Sequence, residues 1–308
     1  MNVLDTILQF RENAAHLCAP HVLPPYPATW QISAATIDRV LDDNKRAKKI
    51  WDSLKKDAGA HVVFLWGGGV ATYADPGFVH DGKMYPLPGQ VSIALDCWED
   101  AEYLARAFLH EMRHVLQHVA GLSNAPRHAS LFDEVWFARI MEADAESYNA
   151  IELFRLRLQG DDELFRCGRS GIFGGIYSAI EEMYYQDATT LDDGRLRRAA
   201  FDAWFSIPSV RMHYECQALK NYPTIKEWYE YFEKEGHIFP DTRLTAADLH
   251  VLGSLDGVEP NYLTLPGYRP LDHPYYRLDF ASREMKKLWA EERAKNGQQS
   301  KNPLPKPR

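Results

Sequence analysis

The segment from His110 to His114 reads His-Glu-Met-Arg-His, the pattern in which two histidines four residues apart bind zinc. Residues with this spacing lie one above the other on a helix, so both imidazoles can reach one ion. Glu111 lies beside them and can accept a proton from a metal-bound water. The segment therefore predicts hydrolysis by a zinc-activated water, with one Zn²⁺ per chain, His110 and His114 as ligands, and Glu111 as the catalytic base.

The residues around this pattern predict a helix with one buried face. At roughly 100° per residue, one continuous apolar arc is formed by Leu104, Ala105, Phe108, Leu109, Met112, Val115, Leu116 and Val119. His110, His114 and His118 form a stripe outside this arc. A helix with a buried back and a polar stripe is what a metal site requires, whereas incidental surface histidines are the alternative interpretation.

A zinc hydrolase needs a third protein ligand and an open position for water. His118 is one candidate, but a helical turn rises about 5.4 Å, so three stacked histidines converge poorly on one ion. We therefore predict that His118 supports the site without binding the metal. The other candidates are Glu142 and Glu146, which are four residues apart on one face of a predicted helix. Carboxylates on a largely apolar face are costly to bury unless they are paired or metal-bound.

Residues 60–158 resemble the zincin metallopeptidases, through a strand at Gln90–Asp96, the His110–His114 motif and the later Glu142–Glu146 pair. The chain is more similar to the gluzincin branch, whose third ligand is a glutamate on a following helix. The motif His-Glu-x-Arg-His-x-x-Gln at residues 110–117 also resembles DUF6782, an uncharacterised family of bacterial metallopeptidases. The rest of the chain resembles no family that we can name.

The resemblance implies roles for several residues. Gluzincins commonly have Glu-x-x-x-Asp on the third-ligand helix, which implies that Glu142 binds zinc and that Glu146, a Glu in place of Asp, braces a histidine ligand. In zincins, the strand before the motif helix is a sheet edge that pairs with an extended substrate. This implies substrate binding along Gln90, Ser92 and Ala94, whereas a plain core strand is the alternative.

We predict an α+β fold that is mostly helical, with a small zincin-like antiparallel or mixed sheet, the motif helix, and a helical C-terminal region. Ser33 is the expected N-cap of a helix reaching Lys56, and Pro208, Pro223 and Pro240 are expected to mark helix breaks. Hairpins are expected around Gly67–Gly69 and Pro88-Gly89. Further helices are predicted at 1–18, 99–119, 134–158, 174–186, 195–205, 209–220, 224–235 and 281–294, and strands at 61–66, 70–73, 83–87 and 90–96.

Four segments are predicted along the chain. Residues 1–56 form an N-terminal helical segment, 57–160 the zincin-like core, 161–295 a helical region that completes the cleft, and 296–308 a disordered tail. The tail is rich in Lys and Pro, which favours disorder.

Composition limits the partners and the location. The 308 residues carry a net charge of -8, which argues against a nucleic-acid or membrane partner. The resemblance to zincins implies a peptide or protein substrate. The four cysteines are scattered without a Cys-x-x-Cys pair, which argues against a cysteine zinc site. No signal peptide or membrane-spanning run is visible, so a cytoplasmic protein is expected, with leaderless export as the alternative. The sequence does not predict the oligomeric state.

A zinc peptidase is the function that these features favour. Two alternatives stay open from the sequence: a zinc hydrolase that acts on another bond, and a zincin-fold protein that binds a partner without turnover. The intact Glu111 argues against the last, because a silent site can lose its base while keeping the fold. His128 lies in the loop 123–130 and is either a solvated loop residue or part of the cleft wall.

Overall fold

The structure, a computed structural model, describes residues 29–65, 71–74, 78–80, 83–85, 91–96, 99–122, 131–234, 246–255, 257, 261–267 and 280–299. These residues are mostly helical, as predicted. The chain divides into two compact units. The first comprises residues 1–125, 141–206 and 245–268, and the second comprises 126–140, 207–244 and 269–308.

Two helices open the described part of the first unit: α1 at Thr29–Asp43 and α2 at Lys45–Ala58. Asn44 separates them, because its side chain accepts a 3.0 Å hydrogen bond from the Ala47 N–H and caps the start of α2. The prediction that Ser33 begins a single helix was wrong. Ser33 lies within α1 and is buried.

The strands form two small sheets within the first unit. β1 (His61–Leu65), β2 (Ala71–Ala74) and β5 (Val91–Asp96) make a three-stranded sheet of order β1-β5-β2, while β3 (Phe78–His80) pairs with β4 (Lys83–Tyr85). β5 runs parallel to β1 and antiparallel to β2. The two hairpins predicted from the sequence are therefore wrong, because β5 lies between β1 and β2, and β4 pairs with β3 instead of β5.

β5 is the central strand, which corrects the prediction that it is a sheet edge. Ser92 and Ala94 each have one partner on β1 and another on β2. A strand with neighbours on both sides has no open backbone edge on which an extended substrate could pair. Ser92 and Ala94 therefore cannot bind an extended substrate by adding it as a neighbouring strand. Gln90 lies outside the described residues.

Helix α3 (Ala101–Val119) carries the two-histidine motif. Asp100 caps its start by accepting a 2.6 Å hydrogen bond from the Tyr103 N–H. The helix packs on α1, α2, β2 and β5. Most of the predicted apolar arc is fully buried, namely Leu104, Ala105, Phe108, Leu109, Met112 and Val115. The arc ends earlier than predicted, because Val119 is exposed.

Helix α4 spans Leu131–Leu158, and its residues 141–158 belong to the first unit. This part of α4 carries Glu142 and Glu146. Further helices of the first unit are α5 (Glu163–Ser170), which the sequence did not predict, α6 (Gly174–Gln186), α7 (Arg195–Phe205) and α9 (Ala246–Gly253). Phe154 of α4 packs its ring against Phe165 of α5 and against Tyr184 of α6. These contacts fix the position of residues 141–158 of α4 within the first unit.

The second unit contains α8 (Pro208–Lys234) and α10 (Arg283–Gln299). Its core includes Val135, Phe280 and Met285. The predicted break at Pro223 was wrong: α8 continues through it. A proline removes one hydrogen bond of the helical ladder, and here the bonds on either side keep the helix continuous.

Several predictions lie outside the described residues: the helix at 1–18, the turns at Gly67–Gly69 and Pro88-Gly89, the break at Pro240, His128, and the end of the tail. The four predicted segments stay a prediction. Among the helices that the structure describes, none combines the length and the apolar character needed to cross a bilayer.

Candidate metal centre

Helices α3 and α4 bring together the three residues that were predicted as metal ligands. His110 and His114 come from α3, and Glu142 comes from α4. One ligand atom from each lies within 4.8 Å of the other two, and this is the one such group among the described residues. The two Nε2 atoms are 3.0 Å apart. The Glu142 oxygens lie 3.2 Å from His110 Nε2 and 3.4 Å from His114 Nε2.

The other ring nitrogen of each histidine has its own acceptor. His110 Nδ1 lies 3.1 Å from a Glu146 oxygen, and His114 Nδ1 lies 2.7 Å from Gln117 Oε1. The orientation of the Gln117 amide is set by its Nε2, which donates to Met141 O and to an Asp144 oxygen. Because both partners of the imidazoles can only accept, each Nδ1 carries a proton. In the neutral rings, both Nε2 lone pairs therefore face each other and the Glu142 carboxylate.

This arrangement fits a bound cation. Two lone pairs 3.0 Å apart beside a carboxylate repel one another unless a positive charge lies among them. Two imidazoles and one carboxylate are a ligand set that zinc accepts, with a position left for water. A carboxylate or amide that fixes the distal ring nitrogen is the usual support for such ligands. The ligand side chains are 16–20% exposed, so solvent can reach them.

The pKa shifts of the three converging residues indicate that the centre favours a positive charge. Burial by itself lowers the pKa of His110, but hydrogen bonds with Glu142 and Glu146 raise that pKa well above its usual range. The pKa of His114 is also raised, because the Glu142 carboxylate outweighs burial. Burial opposes ionisation of Glu142, yet the two histidines hold its pKa well below the usual range. A metal ion at this position would therefore compete with protons, and its binding would weaken as pH falls.

Glu111 lies on α3 directly after the first histidine ligand and is 8% exposed. Its charge contributes to raising the pKa of both His110 and His114. A carboxylate in this position can take a proton from a water held among the ligands.

Glu146 and His118 were predicted to support the metal ligands. Glu146 is buried and contacts His110, while Asn149 Nδ2 lies 3.3 and 3.4 Å from its two oxygens. His118 is buried on α3 and is not a member of the converging group. The supporting role of His118 stays a prediction.

Sequence reasoning missed a buried charge cluster centred on Asp144. This carboxylate accepts two bonds from Arg113, at 2.6 and 2.9 Å, and further bonds from Arg197 at 2.9 Å, Tyr262 at 2.6 Å and Gln117 at 2.8 Å. Asp144 and Arg113 are fully buried. Burial opposes ionisation of Asp144, but the two arginines lower its pKa. Through Gln117, the cluster holds the ring of His114 in place.

A signal for this cluster exists in the sequence, although it is weak. Gln117 follows His114 by three residues, and Asp144 lies between Glu142 and Glu146. Their partners Arg197 and Tyr262 are 53 and 118 residues from Asp144 along the chain. No local pattern links positions so distant, so only the tertiary structure reveals the cluster.

We predict that Asp144→Asn destabilises the protein by about 3–5 kcal/mol, the usual cost of breaking a buried ion pair. The reason is that Arg113 and Arg197 would keep their charges without the carboxylate that they share. Urea denaturation measures the change. Asp52→Asn is the matched control, because Asp52 is half-exposed and pairs with Lys55 three residues away, and such surface pairs contribute about 0–1 kcal/mol. Equal small losses in both variants would contradict the central role of Asp144.

Comparison with known proteins was made by sequence and by structure. A sequence model of the Putative metallopeptidase family (DUF6782) matches residues 69–244. This span is more than half of the chain, and it contains the three converging residues together with Glu111 and Glu146. Among curated proteins and among solved structures, no match was found.

Proposed function

The chain belongs to the Putative metallopeptidase family (DUF6782), and from this membership and the geometry of the centre we propose that it is a zinc-dependent peptidase. The observation that carries the proposal is the convergence of the Nε2 atoms of His110 and His114 with the Glu142 carboxylate. Each Nε2 faces the centre because the opposite ring nitrogen is held by an acceptor. Two imidazole lone pairs at this distance repel each other, and a cation bound between them removes that repulsion.

His110, His114 and Glu142 would hold the zinc ion, as in the gluzincins that the sequence resembles. When bound, zinc lowers the pKa of its water to about 7 and polarises a substrate carbonyl. Glu146 and Gln117 keep the two imidazoles oriented, so that their lone pairs stay aimed at the centre. In this assignment Glu146 takes the place of the aspartate that is common in gluzincins.

Glu111 carries the proton chemistry in this proposal. Its carboxylate accepts a proton from the attacking water and later delivers it to the leaving amine. Glu111 is buried, which keeps bulk water away from its carboxylate, and it directly follows His110 on α3. The sheet β1-β5-β2 and helix α3 would form the zincin-like core that positions these groups.

A peptide-library digest tests the proposal directly. The purified protein is stripped with a chelator, and half of it is reconstituted with zinc. Both samples are incubated with the library, and new termini are identified by mass spectrometry. We expect cleavage only by the zinc-loaded sample. Zinc uptake without peptide cleavage would contradict the peptidase proposal, and a panel of non-peptide amides and esters would then separate another hydrolase from a protein that only binds.

A further inference from the structure

A second site lies in the first unit and is built from different residues. A small cavity is bounded by residues of α2, α4, α7, α9 and the segments beside them, and its walls include Arg46, Arg155 and Arg197. Glu152 is the one acidic residue in these walls. Three guanidinium groups around one cavity favour an anionic occupant.

The single acid in the wall is already engaged. Glu152 is 1% exposed, and one of its oxygens accepts a 2.7 Å hydrogen bond from Asn44 Nδ2. Its other oxygen lies 3.8 Å from Arg46 Nη1. The other two guanidinium groups contact carboxylates outside the wall: Arg155 lies 3.4 Å from Asp192, and Arg197 lies 2.9 Å from Asp144, which Arg113 also contacts. Through these contacts, four guanidinium groups share three carboxylates.

One N–H group of Arg155 has no hydrogen-bond acceptor among the described residues. Its Nη2 donates to Leu191 O at 3.1 Å and lies 3.4 Å from Asp192. Its Nε is buried and has no hydrogen-bond partner in the described part of the chain. Leaving a buried charged donor unsatisfied is costly, so an acceptor that enters the cavity would gain this bond.

Arg197 is held rigidly in the same wall. Its guanidinium donates to Asp144 at 2.9 Å and lies over the rings of Tyr148 and Tyr262, 5.5 and 4.7 Å from their centroids. Arg197 is 9% exposed. A donor fixed in advance costs less conformational entropy when it binds a ligand.

The size of the cavity limits the ligand. The centres of water-sized groups can occupy about 20 Å³ of it, and one such group needs roughly 10–15 Å³. The space suits a compact ionic head group and excludes a large ligand. Guanidinium groups match the paired oxygens of carboxylates and phosphates.

We propose that this cavity binds a small oxyanion, a carboxylate or a phosphate group, through Arg46, Arg155 and Arg197. The site shares none of the predicted metal ligands and does not depend on the proposed peptidase activity. Zinc stoichiometry therefore provides a separate control: removing Arg155 should leave the metal content unchanged.

Calorimetric titration with inorganic phosphate and, separately, with acetate tests this proposal, with the ionic strength held constant. We expect saturable binding of at least one ion to the wild-type protein. Arg155→Gln should weaken binding about 10–100-fold, the loss expected from one charge-assisted hydrogen bond. Arg46→Gln provides a second variant if Arg155→Gln folds poorly. Arg166→Gln is the matched control, because Arg166 is 71% exposed and pairs with Asp162 four residues away.

Each outcome decides the proposal. Binding of acetate supports a carboxylate ligand, and binding of phosphate alone supports a phosphorylated one. The proposal is overturned if neither ion binds the wild-type protein saturably. It is also overturned if Arg155→Gln, Arg46→Gln and Arg166→Gln all bind as the wild type does.

Discussion

Glu111→Gln should abolish most peptide hydrolysis while leaving zinc in place. Glutamine has nearly the shape of glutamate but cannot accept the proton of the attacking water, and loss of a general base typically lowers the rate by about 10²–10⁴-fold. Zinc should stay bound because His110, His114 and Glu142 are unchanged. The rate is measured on a peptide that the wild-type protein cleaves, and the metal content is measured on the same samples.

Glu102→Gln is the matched control for this variant. It makes the same chemical change in the first turn of α3, nine residues before Glu111 and so about 13.5 Å away along the helix axis. We expect its activity to equal that of the wild-type protein. Full turnover by Glu111→Gln would show that Glu111 is structural and that another group acts as the base.

Glu142→Ala and Glu146→Ala should separate the two acids of α4. Only Glu142 places its oxygens beside both Nε2 atoms, at 3.2 and 3.4 Å, whereas Glu146 contacts His110 at the opposite ring nitrogen. Removal of Glu142 should therefore eliminate tight zinc binding. Removal of Glu146 should weaken zinc binding or activity by about 10–100-fold, as is usual for residues that orient a ligand.

Zinc titration with a competing chelator measures both affinities. Glu163→Ala serves as the control, since Glu163 is exposed at the start of α5 and should bind zinc as the wild type does. If Glu146→Ala loses the metal and Glu142→Ala keeps it, the two roles are reversed by one helical turn. The proposal of a zinc peptidase would be unchanged by that result.

The local part of the site could be predicted from the sequence. Helical spacing placed His110 and His114 on one face, and the apolar residues behind them predicted the buried side of α3. The distinction between Glu142 and Glu146 needed the family resemblance, because both lie on the same face of α4 and spacing alone fits either. The structure separates them by the ring nitrogen that each one contacts.

Features that depend on distant residues could not be predicted. The central position of β5 follows from strands that pair on both sides of it, and a strand with one apolar face looks the same at an edge. Asp144 looks like a solvated acid until Arg113, Arg197 and Tyr262 are placed around it. The local sequence predicts a helix break at Pro223, whereas α8 runs without interruption from Pro208 to Lys234.

Metal stoichiometry after reconstitution is the most direct test of the central claim, that His110, His114 and Glu142 form a metal site. The chain is loaded with excess zinc, dialysed, and analysed for metal and protein in the same sample. We predict one zinc per chain for the wild-type protein and almost none for the double variant His110→Ala/His114→Ala, with folding of both checked by circular dichroism. A folded wild-type protein that retains no metal, or a double variant that retains one zinc per chain, would contradict the claim.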